Sequence, residues 1–282
     1  MPSQALLFDL DDTLIADTSD TLAALAETCA LVEPTAERCR ELAAAVKAQA
    51  WELWASPAYG GAIGHELGIS GTEAMFSDFR VGHETVQRLI ASHASFEREV
   101  WQQSLAAHGT HWRPEQVDEL RRSFRQTRPQ HVTLYDEVVA SLEELAGDFR
   151  LGVVTNGPSD LQRLKLAATG LDRRFSTVVI SGELGHGKPS PEPFLEAVRL
   201  LDVPIEATVM VGDSVTRDVA GAHGAGMRVV RIDRASGARG ARTTGADPAP
   251  SVPDLRSLRD ALASAGVVGR VLLGPAPRRL GS

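Results

Sequence analysis

The stretch Ala5-Leu6-Leu7-Phe8-Asp9-Leu10-Asp11-Asp12-Thr13-Leu14 constrains the fold of this chain more than any other. An apolar run that breaks abruptly into carboxylates reads as a buried strand delivering its acids to the open edge of a sheet, where α/β folds keep their sites. Successive strand residues alternate faces, so Asp9 and Asp11 point the same way. Two carboxylates side by side are costly unless a cation or a proton sits between them. A calcium-binding EF-hand loop would need Gly at its sixth position and Glu at its twelfth, where this chain has Leu14 and Asp20, and that reading fails. The bland alternative for these residues alone is a solvated acidic turn.

With 282 residues the chain holds one large or two smaller domains. A net charge of −8, with scattered Lys and Arg, argues against nucleic acid or an anionic membrane as the main partner. Cys29 and Cys39 fall in helical-looking segments without metal-ligand spacing, which points to a reducing compartment. The N-terminal apolar run is too short for a signal peptide or a membrane span, and the expectation is a cytoplasmic protein.

After a polar linker over 15–20, helical patterning runs from about residue 21 to 127, through segments near 21–31, 35–55, 72–80, 82–92, 94–108 and 114–127. A second linker is expected from Pro129 to Tyr135. From residue 136 strand and helix alternate, with strands at 150–155, 177–181, 207–211 and 227–232. Ser159 and Gln162 are spaced as a capping box, and Ser190 followed by Pro191 marks another helix start. Repeated βαβ units imply a doubly wound parallel α/β sheet, a Rossmann-like core of residues 1–16 and 132–264 that carries residues 17–131 as an all-helical insertion. The segment 234–253 reads as a loose surface connection, 254–264 as a short helix and 265–282 as a poorly ordered tail.

Further polar residues fall at the carboxyl ends of the later strands. Thr155, followed by Asn156-Gly157, supplies a hydroxyl and backbone N–H groups at a strand-to-helix turn suited to phosphate oxygens. Lys188 ends Gly182-Glu183-Leu184-Gly185-His186-Gly187-Lys188, close to a nucleotide-binding phosphate loop. Pro189 then stands where that loop needs a hydroxyl and an N–H, so an ATP site is rejected and a fixed positive charge remains. Asp213 at a strand end and Asp218 in the next helical turn can face Asp9 and Asp11. Carboxylates converging in this way call for a hard cation with oxygen ligands, and Mg2+ fits.

Asp9-Leu10-Asp11-Asp12-Thr13, Thr155, Lys188 and Gly212-Asp213 to Asp218, in this order, resemble the motifs of haloacid dehalogenase superfamily phosphatases over residues 5–262. The helical insertion is similar to that family's C1 cap. The first motif looks most like the branch of N-acylneuraminate-9-phosphatases and pyrimidine nucleotidases. The resemblance implies a Mg2+-dependent phosphatase of a small phosphorylated metabolite, with Asp9 as nucleophile, Asp11 as acid and base, and Thr155 and Lys188 on the phosphoryl oxygens. It places the metal on Asp9, the Asp11 carbonyl and Asp213, with Asp218 as a further ligand or as a group that orients the ligands, and substrate contacts at Thr13, Asn156 and Gly157. Tyr59, beside Gly60-Gly61, is the cap residue expected to reach the site. A phosphomutase, a 2-haloacid dehalogenase and a catalytically retired binding protein are the alternatives. Asp17-Thr18-Ser19 and Pro129-Gln130 are the expected hinges, and no pattern in the chain sets an oligomeric state.

Overall fold

The computed structural model describes residues 3–234, 249–264 and 266–267. Six parallel strands form one sheet in the order β3-β2-β1-β4-β5-β6. The central strand β1 (Ala5–Phe8) is buried along its whole length, as strands covered on both faces must be. It pairs with β2 (Arg150–Thr155) on one side and β4 (Thr208–Gly212) on the other, while β3 (Thr177–Ile180) and β5 (Arg228–Ile232) flank these. Asp9, Thr155 and Gly212 therefore lie at the same edge.

The insertion after β1 contributes α1 (Asp17–Cys29), α2 (Ala36–Trp54), α3 (Gly61–Leu67), α4 (Gly71–Phe76), α5 (Glu84–Gln87), α6 (Ile90–His108) and α7 (Pro114–Thr127). They gather around their own apolar cluster, which includes Leu42, Val46, Trp54, Phe79, Phe96, Trp101 and Phe124. Trp54 lies inside it, donating Nε1 to the Ile69 carbonyl at 2.8 Å, whereas Trp51 is 64% exposed. Separate clusters pack the two faces of the sheet, one around Phe8 and Val153 and the other around Leu7 and Phe194. Covering helices are α8 (Val138–Leu145), α9 (Ser159–Thr169), the one-turn α10 (Ser181–Leu184), α11 (Glu192–Leu201), α12 (Ala220–Gly224) and α13 (Leu258–Ser264).

The chain departs from the sequence expectation at several joints. The helix expected near Thr21 begins at Asp17, and the 72–80 pattern stops at Phe76, where Ser77 turns extended at ψ 146° and Phe79 follows at φ 58°. The two crossings are no free linkers: Ala16 N–H donates to the Thr133 carbonyl at 2.9 Å and Tyr135 N–H to the Leu14 carbonyl at 3.2 Å. Asp17 also pairs with Arg128, and Asp20 accepts from the Thr133 amide and hydroxyl at 2.7 and 2.9 Å. Polar residues that read as loop are thus partners of one another across 113 residues of chain. Helix α11 starts one residue late, with Pro191 as its cap.

Within the connection expected to be loose, β6 (Ser251–Val252) adds a parallel rung to β5. A two-residue strand carries no periodicity from which to read it. Most of that connection, and nearly all of the expected tail, lie outside the described residues.

Candidate active site

Asp9 follows β1 directly and is 7% exposed. Its Oδ1 accepts a hydrogen bond from Lys188 Nζ at 2.6 Å, and the same ammonium reaches Asp218 Oδ1 at 2.6 Å. Asp218 is wholly buried, and its Oδ2 takes the Ser214 amide at 3.0 Å. It is brought inward by a widened turn in which the Asp218 and Val219 amides both donate to the Ser214 carbonyl, an i→i+5 distortion that recurs at functional sites. A Cβ at Gly212 would stand 2.4 Å from Asp218 Oδ2, so glycine is what allows the turn to press on the strand end.

Lys188 is held by its backbone. Asn156 Nδ2 donates to the Lys188 carbonyl at 2.9 Å and the Lys188 amide donates to Asn156 Oδ1 at 2.8 Å. Burial works against the ammonium, but Asp218 and Asp9 hold its pKa above the ordinary value.

Carboxylate oxygens of Asp9, Asp213 and Asp218 come within 4.8 Å of one another. Burial raises the Asp9 carboxyl to about 6 against the pull of Lys188, with Asp218 adding to the rise. Burial, then Asp9 and Asp218, push Asp213 to about 8. One ammonium among three acids leaves negative charge uncompensated, so the donor set fits a divalent cation that prefers oxygen.

Asp11 has different partners. Its Oδ1 accepts from Lys165 Nζ at 2.8 Å and its Oδ2 from Gln162 Nε2 at 2.9 Å. Burial and the neighbouring Asp17 raise its pKa well above the usual carboxyl range, against Lys165. Two acids spaced by one residue thus sit in two different surroundings.

The structure therefore brings Asp9, Asp213, Asp218 and Lys188 together, with Asp11 and Thr155 joined through Gln162 beside them. Other expected contacts are placed differently. The Gly157 amide donates to Ser181 Oγ at 2.9 Å, so it is engaged within the protein, and Asn156 spends its side chain on Lys188. Thr13 is fully buried with its hydroxyl 3.4 Å from Asp213 Oδ1, where it orients a carboxylate. Tyr59 packs on Phe96 at a centroid distance of 5.3 Å and donates its hydroxyl to Glu99, inside the helical cluster.

Elements of the helical insertion that meet the sheet edge include the α3–α4 turn and the segment after α4. Ser181 Oγ donates to the Leu67 carbonyl at 2.6 Å, Ser77 Oγ to Asp160 Oδ1 at 2.7 Å, and the His83 amide to the Gly182 carbonyl at 2.8 Å. Gln162 and Lys165 were not anticipated as site residues. The expected capping box gives way because the Gln162 amide turns to Asp11 and Thr155, while Pro158 precedes the helix. Their i, i+3 spacing on the helix after Thr155 is the signal that could have found them.

Known proteins resemble this chain in sequence and in fold. The haloacid dehalogenase-like hydrolase family matches residues 4–226. The phosphoserine phosphatase of Thermus thermophilus is 38% identical over 232 residues, which cover 81% of this chain and 88% of that protein. The human N-acylneuraminate-9-phosphatase is 39% identical over 105 residues, 37% of this chain and 42% of that protein. The solved 2-haloacid dehalogenase of Pseudomonas syringae superposes with a TM-score of 0.54 at 26% identity, covering 94% of this chain and 100% of that one. The magnesium-bound HAD-hydrolase YfnB of Bacillus subtilis reaches a TM-score of 0.64 at 20% identity over 93% of this chain and 99% of its own, a likeness of fold. The chain belongs to the haloacid dehalogenase-like hydrolases. Within that family it stands with the phosphatases, the N-acylneuraminate-9-phosphatase branch expected from its first motif among them.

Proposed function

We propose that this hydrolase removes phosphate from a small phosphomonoester through an aspartyl phosphate on Asp9, with residues 17–131 acting as a cap that carries substrate selectivity. The observation that supports this best is the division of labour between the two motif acids. Asp9 shares Lys188 with Asp218, while Asp11 is held on Lys165 and Gln162 in surroundings that favour its proton-bearing form.

In the first step an Asp9 oxygen forms a bond to phosphorus as the ester P–O bond breaks, and the Asp11 proton passes to the leaving oxygen. In the second, a water oxygen attacks phosphorus, its proton returns to Asp11, and the bond to Asp9 breaks. Lys188 and the Thr155 hydroxyl face the charge spread over the transferring oxygens. Asp9, Asp213, Asp218 and the Asp11 carbonyl would hold Mg2+, which would neutralise part of that charge.

A dehalogenase expels halide as a stable anion and needs no acid, so Asp11 on its two donors favours phosphoryl transfer. Phosphoserine is the first substrate to test, because the relative bearing that name is matched over most of its length. Other sugar, nucleotide and acid phosphates complete the panel. Phosphate release should require Mg2+, stop with chelator and vanish in Asp9→Asn with the fold retained. Full turnover by Asp9→Asn, or in chelator, would overturn the reading.

A further inference from the structure

Gln162 is completely buried, and its amide nitrogen lies within bonding distance of three acceptors: Asp11 Oδ2 at 2.9 Å, Thr155 Oγ1 at 2.7 Å and the Asn156 carbonyl at 3.1 Å. Its other end, Oε1, is buried with no hydrogen-bond partner. An unsatisfied buried carbonyl is destabilising, so an apolar side chain of this size would serve packing better. The feature that requires glutamine is the NH2 group, which ties the carboxyl of Asp11 to the hydroxyl of Thr155.

One turn further along α9, Lys165 is equally buried. Its ammonium meets Asp11 Oδ1 and Asp17 Oδ1, each at 2.8 Å, and lies 3.9 Å from Glu73 Oε1. Asp17 belongs to the first crossing into the helical insertion and also pairs with Arg128 from the second. Glu73 belongs to α4 of the insertion itself. One ammonium therefore joins Asp11 to both crossings and to the face of the insertion.

We infer that Gln162 and Lys165 are positioning residues for Asp11: together they set the direction of its carboxyl toward the leaving oxygen, and the contacts of Lys165 with Asp17 and Glu73 make that direction depend on the insertion being seated on the sheet edge. The inference rests on Asp11 being the proton donor. Two donors on opposite oxygens of one carboxyl define its plane, which a single partner does not. Neither residue touches the transferring phosphoryl group in this role, and their effect passes through Asp11.

The test compares kcat/KM, which reports the first phosphoryl transfer, on p-nitrophenyl phosphate and on the best alkyl substrate among phosphoserine, glycerol phosphate and ribose 5-phosphate. An aryl oxide leaves without a proton and an alkoxide does not. Asp11→Asn serves as the reference and should lose at least about 100-fold more on the alkyl ester. Gln162→Met should change Tm little, because the orphaned carbonyl is gone while three acceptors lose their donor, yet lose about 10-fold more on the alkyl than on the aryl ester. Lys165→Met should show a larger split together with a lower Tm, and Lys165→Arg should recover part of the split. Equal losses on both esters for Gln162→Met and Lys165→Met, with the split intact in Asp11→Asn, overturn the positioning role and leave the proposed reaction standing. No split in Asp11→Asn overturns the acid assignment and the inference with it.

Discussion

Gly68 ends α3 in the left-handed region at φ 63°, and a Cβ there would stand 2.1 Å from Asn156 Nδ2, where ordinary contact is 3.4–4 Å. Asn156 in turn holds the Lys188 amide and carbonyl, so Gly68→Ala must move either the clasp on Lys188 or the α3–α4 turn by more than 1 Å. Gly109 is a matched control, with φ 70°, the same place at a helix end and nothing within 4 Å of its Cβ. Gly109→Ala should cost only the backbone penalty, about 1 kcal/mol, or roughly 2–4 °C in Tm, at unchanged kcat/KM. Gly68→Ala carries the same penalty, and displacement of a positioned charge by about 1 Å costs on the order of 100-fold in kcat/KM. Steady-state kinetics on p-nitrophenyl phosphate and thermal melts of both variants decide the matter. If Gly68→Ala matches Gly109→Ala in kcat/KM within about threefold, the turn does not press on the Lys188 clasp in the working enzyme, and the reasoning fails.

Two further predictions concern charge. Asp213 and Asp9 have folded pKa values raised to about 8 and about 6 from 3.8, so the folded state binds these protons more tightly than the unfolded chain does. Their contribution is present in full below the unfolded value and is lost as pH rises through the folded one, so Tm of the metal-free protein should fall between about pH 4 and 8. Asp213→Asn, or saturating Mg2+, should flatten that fall, and a metal-free Tm that rises over the same range would contradict the cluster's electrostatics. In the helical insertion Glu97 is 1% exposed and accepts from Arg121 Nε at 2.9 Å and Arg125 Nη2 at 2.7 Å, with His93 Nε2 3.4 Å away. Glu97→Ala removes the buried carboxylate that two guanidinium groups share, leaving Arg121 on Asp118, and should destabilise by up to about 3 kcal/mol in denaturant unfolding, with the aryl-to-alkyl ratio of kcat/KM unchanged.

Much of this molecule follows from residue order alone. An apolar run ending in Asp9 and Asp11 has to be a covered strand with its acids at the edge, and strand-helix alternation after residue 136 forces parallel pairing. Asp213 and Asp218 then arrive at the same edge because every parallel strand ends there. Tertiary structure alone decided which partner each acid has. Periodicity reports the face a residue presents on its own element and is silent about the element opposite. Gln162 therefore read as half of a cap and Lys165 as one more helical residue, until packing of α9 beside the first motif placed both on Asp11. Tyr59 went astray for the converse reason: a glycine-flanked aromatic on a loop has no period, and Phe96 and Glu99, 37 and 40 residues away in the chain, determine where its ring and hydroxyl rest. The crossings look like linkers because their residues are polar, yet Asp17 with Arg128 and Asp20 with Thr133 satisfy that polarity across the chain. Only folding brings such distant groups within hydrogen-bonding reach.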